Sequence, residues 1–181
     1  PRLLEAEGIL DRELEFLPTD KQIAERQSAG RGLGTPDFAA MIAYTKTADI
    51  SEVLGTDLPD DPALDSELLA YFPPILRERF PDTLRAHRLR REIITTTMVD
   101  TMVNLAGISF DHRMTEDTGS TVADVLWAFT AARRIVELDD QWVTIEALDQ
   151  SVPLDTQIAL FLEARRSAMS AATRPVTTLS R

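Results

Sequence analysis

The stretch that most constrains the fold runs from Pro81 to Gly107, and it predicts one long helix. Proline is favoured in the first helical turn, where its missing N–H costs no hydrogen bond, and glycine is favoured just past the last turn. The first half of the stretch is rich in arginine, whereas apolar residues recur at three- and four-residue spacing in the second half. We therefore expect a helix that is basic where it begins and buried where it ends.

Helical spacing of apolar residues recurs along the rest of the chain, and no segment shows the sustained two-residue alternation that indicates strands. The sequence therefore predicts an all-α fold, a multi-helix, bundle-like domain with short connections in which residues 1–181 form one domain. Further helices are expected from Leu3 onward, from Asp20 to Gln27, from Thr35-Pro36-Asp37 to about Gly55, from Asp61-Pro62 to Pro73-Pro74, from Thr121 with Asp124 as its capping acid, from Asp139 or Asp140, and from Val152-Pro153.

Composition excludes several classes of function. A net charge of −11 argues against general nucleic-acid binding and against adsorption to anionic membranes. No apolar run approaches the roughly 20 residues of a membrane helix, and the chain has no cysteine for disulfides or thiolate ligands. We expect a cytoplasmic protein with neither nucleic-acid nor membrane partners. Because it begins at Pro1, we also expect it to be a piece of a longer polypeptide.

The remaining motifs favour structural roles over chemistry. The spacing of Gly30, Gly32 and Gly34 departs from G-x-G-x-x-G, so a phosphate-binding loop is not expected. Tyr44 and Lys46 are two residues apart and face different sides of a helix. The aspartates of residues 56–62 lack the glycine and glutamate of a calcium loop, and neither His87 nor His112 has a metal-ligand spacing. No catalytic, cofactor-binding or metal-binding residue is predicted.

Arginines cluster between residues 77 and 91, although the chain as a whole is acidic. Two interpretations stay open. The first is internal ion pairing with Glu78, Asp82 and Glu92. The second is contact with an acidic surface of another domain, since arginine is the better interface cation. The candidate interdomain contacts are Arg85, Arg88 and Arg91.

Several motifs together resemble one family, the large bacterial NAD-specific glutamate dehydrogenases. The resemblance covers nearly the whole chain, in order, and falls on the part that follows the catalytic core. At residues 34–37 this chain has Gly34 and Thr35 where the family usually has threonine and a basic residue, a loop change that touches nothing catalytic. The motifs are Leu10-Asp11-Arg12-Glu13-Leu14-Glu15-Phe16-Leu17-Pro18, Ala29-Gly30-Arg31-Gly32-Leu33, Ala43-Tyr44-Thr45-Lys46, Asp57-Leu58-Pro59-Asp60-Asp61-Pro62, Tyr71-Phe72-Pro73 and His87-Arg88-Leu89-Arg90-Arg91-Glu92-Ile93-Ile94.

The resemblance implies that the full enzyme oxidatively deaminates L-glutamate to 2-oxoglutarate and ammonia and reduces NAD to NADH. It implies a homo-oligomer in which this segment, inactive alone and without a cofactor of its own, supports the assembly or regulation of the catalytic domain of the same polypeptide. The alternative is a free-standing helical protein-interaction module that shares ancestry only.

Overall fold

The computed structural model describes residues 18–32, 34–148 and 151–179. These residues form α-helices and two short 3-10 helices, without a strand among them, which confirms the predicted all-α fold. The helix expected from Leu3 lies outside the described residues. The α-helices are α1 (Asp20–Ser28), α2 (Thr35–Leu54), α3 (Asp65–Tyr71), α4 (Pro74–Arg79), α5 (Pro81–Arg85), α6 (Arg90–Ala106), α7 (Phe110–Thr118), α8 (Val122–Ile135), α9 (Leu138–Glu146) and α10 (Leu154–Leu179), and the 3-10 helices are Leu58–Asp60 and Pro62–Leu64.

The prediction of one continuous helix from Pro81 to Gly107 is wrong, because the chain turns between α5 and α6. At the turn, His87 Nδ1 accepts a hydrogen bond from the backbone N–H of Leu89 (3.2 Å), and the His87 ring lies 5.9 Å from that of Phe72. A local bond of this kind competes with the helical hydrogen bonds, and no proline or glycine in residues 86–89 marks it in the sequence. Gly107 follows α6 as expected, with a φ of 91° that favours glycine.

The second half of the predicted stretch is the centre of the hydrophobic core, as expected. Helices α2, α3 and α8 pack around α6, and α10 packs along α8 and α9. Apolar residues at helical spacing form a stripe along one side of α6, and the side chains of this stripe lie in the core. The core members that α6 and α8 contribute include Ile94, Met98, Val99 and Met102 of α6 and Val125, Leu126 and Phe129 of α8.

The predicted capping box at the start of α8 is present in the structure. Thr121 accepts from the backbone N–H of Asp124 (3.2 Å) and Asp124 accepts from that of Thr121 (3.1 Å), as predicted for α8. The predicted first residue of α9 is wrong: Glu137, in a left-handed conformation, precedes a helix that begins at Leu138. Thr19 rather than Asp20 caps α1, and Asp61-Pro62 begins a 3-10 turn before α3.

In the described part of the chain, no single helix is both long enough and apolar enough to cross a membrane. Only α6 and α7 taken together meet the length and composition criterion, and the two are bent by 93° at the link between them.

Candidate functional site

The arginines that begin α6 hold the loop between α2 and α3. Arg90 donates to the Pro59 carbonyl (2.6 Å) and to Asp65 Oδ1 (2.9 Å). Arg91 donates to the carbonyls of Leu54 and Thr56, both at 2.9 Å, and pairs with Asp60. Two guanidinium groups therefore satisfy carbonyls that the turns of this loop leave without helical partners.

The predicted interdomain arginines fall into two classes. Arg85 pairs with Asp65 (3.3 Å) and Asp82 (2.9 Å), and Arg91 is bound in the loop contact just described. Internal pairing thus accounts for these two, although of the three expected acidic partners only Asp82 takes part. Arg88 is exposed and makes no ion pair or hydrogen bond within the described residues. The predicted interdomain role stays a prediction, and Arg88 is the member free to fulfil it.

Exposed apolar side chains precede and follow Arg88 along the chain, and their exposure was not predicted from the sequence. They come from the end of α3, from α4 and from the turns at either end of α5, which contacts both of the other helices. Arg79 lies over the Phe80 ring, with 5.6 Å between the guanidinium carbon and the ring centroid. The exposed apolar residues are Tyr71, Ile75, Leu76, Phe80 and Leu89.

A buried ion pair joins α3 to α8. Glu67 is 3% exposed and accepts hydrogen bonds from Arg133 at 2.8 and 2.9 Å. Arg134 donates to the same carboxylate at 2.8 Å and also to the Ala63 carbonyl at 2.9 Å. This carboxylate has donors from two guanidinium groups, so its burial is compensated.

A second buried acidic group has no such compensation. Asp49 of α2 and Asp111 of α7 are 4% and 6% exposed, and each has one carboxyl oxygen without a hydrogen-bond donor among the described residues. Burial raises the pKa of Asp49 to about 8, and the Asp111 carboxyl adds to the rise by its charge and by a shared hydrogen bond; Glu52 contributes a smaller repulsion. Protonated Asp49 can donate to Asp111, so the two carboxyl groups hold a proton between α2 and α7.

The other candidates examined in the sequence serve structural contacts. Lys46 pairs with Asp100 (2.9 Å) and donates to Asn104 (3.0 Å), which joins α2 to α6. His112 lies 3.4 Å from Glu116, one turn further along α7. In the described residues, no group of three or more histidine, aspartate or glutamate side chains could hold a metal ion.

Comparison with known proteins gives concordant matches. A family model described as "Glutamate dehydrogenase, C-terminal" matches residues 30–176. The NAD-specific glutamate dehydrogenase of Pseudomonas aeruginosa is 42% identical over 163 residues, which are 90% of this chain and 10% of that protein. Those of Halomonas elongata and Mycobacterium tuberculosis are 37% and 40% identical, over 90% and 88% of this chain and 10% of each relative. The chain therefore spans about a tenth of the length of the curated relatives it matches.

Proposed function

The chain belongs to the glutamate dehydrogenase C-terminal family, and from this membership we propose that it is a non-catalytic helical region of an NAD-dependent glutamate dehydrogenase. In the full enzyme, L-glutamate, NAD and water would give 2-oxoglutarate, ammonia and NADH. The match over residues 30–176 to proteins about ten times as long carries the proposal. A cytoplasmic location and a homo-oligomeric assembly stay predictions from the resemblance.

The contacts of the polar side chains favour a structural role for this segment over a catalytic one. Lys46, Arg90, Arg91 and Arg133 hold helices and loops to one another. The carboxyl group of Asp49, whose pKa is raised, is enclosed between helices and lines neither of the surface depressions beside α10. The contacts between helices and loops, together with exposed arginines, suit the segment to hold a neighbouring catalytic domain in position.

A deletion in the full-length protein tests the proposal. We expect a protein that lacks residues 30–176 to lose glutamate-dependent NAD reduction, its assembled state, or both. Co-expression of residues 1–181 as a separate chain should restore the loss, with the two pieces eluting together. The measurements are absorbance of NADH and mass by sedimentation.

The competing function, a free-standing interaction module, predicts the opposite result. If the shortened protein keeps full activity, stability and assembly, the segment does not support the enzyme. NAD binding is measured separately, by titrating NAD into the intact and shortened proteins. A dissociation constant that weakens only in the shortened protein would contradict the expectation that this segment holds no cofactor.

A further inference from the structure

Exposed apolar side chains and arginines without an acidic partner occur together in residues 71–89, and we name this exposed segment the aromatic–arginine face. Tyr71 is 61% exposed and Phe80 is 47% exposed, although aromatic side chains of this size normally contribute to cores and interfaces. Of the helices that carry the face, α5 contacts both α3 and α4. Its members are Tyr71, Ile75, Leu76, Phe80 and Leu89 together with Arg77, Arg79 and Arg88.

The charge of this face is opposite to that of the chain. Residues 71–89 contain four arginines and two acidic residues, in a chain whose net charge is −11. Of the four, Arg85 is paired internally, whereas Arg77, Arg79 and Arg88 have no acidic partner among the described residues. Tyrosine, phenylalanine and arginine are the residue types enriched at the centres of protein interfaces.

We propose that the aromatic–arginine face docks on an acidic, apolar surface of the rest of the same polypeptide. This inference rests on the proposed function, because it takes the chain as one part of a protein about ten times as long. Carboxylates on that surface would pair with Arg77, Arg79 and Arg88, and apolar side chains would cover Tyr71 and Phe80. The alternative occupant is the same face or another surface of a second copy of the chain.

Footprinting of the full-length protein tests whether the face is covered. Hydroxyl radicals modify aromatic side chains in proportion to their access to water, and Phe38 of α2 provides a matched reference because it is 48% exposed against 47% for Phe80. Each peptide is normalised to its labelling in denaturant. We expect labelling of Tyr71 and Phe80 to fall several-fold below that of Phe38. Equal labelling of Phe80 and Phe38, with Tyr71 also labelled, would overturn the proposal.

A cross-linking variant identifies the occupant. Arg88→Lys keeps the positive charge and supplies an amine that a carbodiimide joins to a carboxylate in direct contact. We expect cross-links from position 88 to aspartate or glutamate outside residues 1–181 of the same polypeptide. In assemblies made from isotope-labelled and unlabelled chains, these cross-links should stay within one isotope. Cross-links only between differently labelled chains would assign the face to a second copy and overturn the proposal, as would the lack of any cross-link.

Charge reversal separates the failure of this inference from the failure of the proposed function. Arg79→Glu with Arg88→Glu should release the segment from the rest of the full-length protein, seen as restored labelling of Phe80 and a lower temperature of inactivation. Lys21→Glu with Arg31→Glu makes the same charge change on exposed residues outside the face and should change neither. If deletion of residues 30–176 abolishes activity but Arg79→Glu with Arg88→Glu behaves like its control, the proposed function stands and this face is not the docking surface.

Discussion

Glu67 and Asp49 are buried to the same degree but have opposite electrostatic surroundings. Glu67 is 3% exposed and receives hydrogen bonds from Arg133 and Arg134, whereas Asp49 is 4% exposed and faces Asp111. Burial and the Asp111 carboxyl raise the pKa of Asp49, whereas the buried Glu67 carboxylate is bound by two guanidinium groups. The comparison shows that the residue facing it from another helix, rather than burial itself, determines how a buried acidic side chain contributes to stability.

The largest effect is expected from removing Glu67, the buried acidic residue that has arginine partners. Glu67→Ala leaves Arg133, whose side chain is only 11% exposed, with Asp139 as its remaining acidic partner among the described residues, 3.8 Å away and 69% exposed. We expect the free energy of unfolding to fall by about 3–5 kcal/mol, because this exposed carboxylate compensates the buried charge poorly. Urea unfolding followed by circular dichroism measures the change.

An exposed pair on α10 is the control for this variant. Glu163 and Arg166 lie 2.6 Å apart, but their side chains are 64% and 73% exposed. Glu163→Ala should change the free energy of unfolding by less than about 1 kcal/mol. Equal losses for Glu67→Ala and Glu163→Ala would show that burial adds nothing to the value of the Glu67 contact.

The next effect depends on pH and concerns Asp49. Because its pKa is raised to about 8 in the folded protein, the folded state holds a proton that the unfolded chain releases above about pH 4. The free energy of unfolding should therefore fall as pH rises from about 4 to about 8. Asp49→Asn stays neutral, donates to Asp111 from its amide, and should remove this slope.

Urea unfolding of both proteins at a series of pH values makes the comparison. The difference in unfolding free energy between Asp49→Asn and the parent chain should increase in favour of the variant as pH rises from about 4 to about 8, and should level off above about 8. A parent chain that is as stable at the alkaline end of the series as at the acidic end, with the variant showing the same profile, would mean that Asp49 does not hold the proton.

A smaller change is expected when the partner of Asp49 is altered. Asp111→Asn removes the charge repulsion and the carboxyl–carboxyl hydrogen bond but leaves Asp49 buried. We expect the pKa of Asp49 to fall and yet to stay above its ordinary value, because burial is the larger cause of the rise. Carbon-detected NMR of the Asp49 carboxyl group follows its titration directly. A pKa that does not move would contradict the shared proton.

The sequence predicted much of the fold because periodicity and capping are local signals. The capping box of Thr121 and the apolar spacing of α6 are both readable along the chain. The turn at His87 could not be predicted from the sequence, because it depends on a side-chain hydrogen bond and on packing against Phe72 rather than on a proline or glycine. Asp49 and Asp111 are 62 positions apart in the sequence, so their meeting follows from the tertiary packing of α2 and α7. The local sequence gave one indication of this pair, because Asp49 lies on the same face of α2 as the apolar Val53.

The smallest effect is expected at the other end of α2, where Asp37 has the opposite pKa shift to Asp49. The N–H of Gly34 donates to Asp37 (2.8 Å) and Arg26 lies 2.5 Å from it, and these two contacts lower its pKa. A lowered pKa means that the stabilisation is present above the ordinary pKa of about 3.9 and is lost as pH falls through the lower value of the folded state. In the parent chain, exchange of the amide hydrogens in the first turn of α2 should therefore accelerate in acid, relative to the intrinsic rate. Asp37→Asn should show faster exchange already at neutral pH and no acid transition. If the acid transition persists in Asp37→Asn, another group controls the start of α2, and the contrast between the two aspartates of this helix fails.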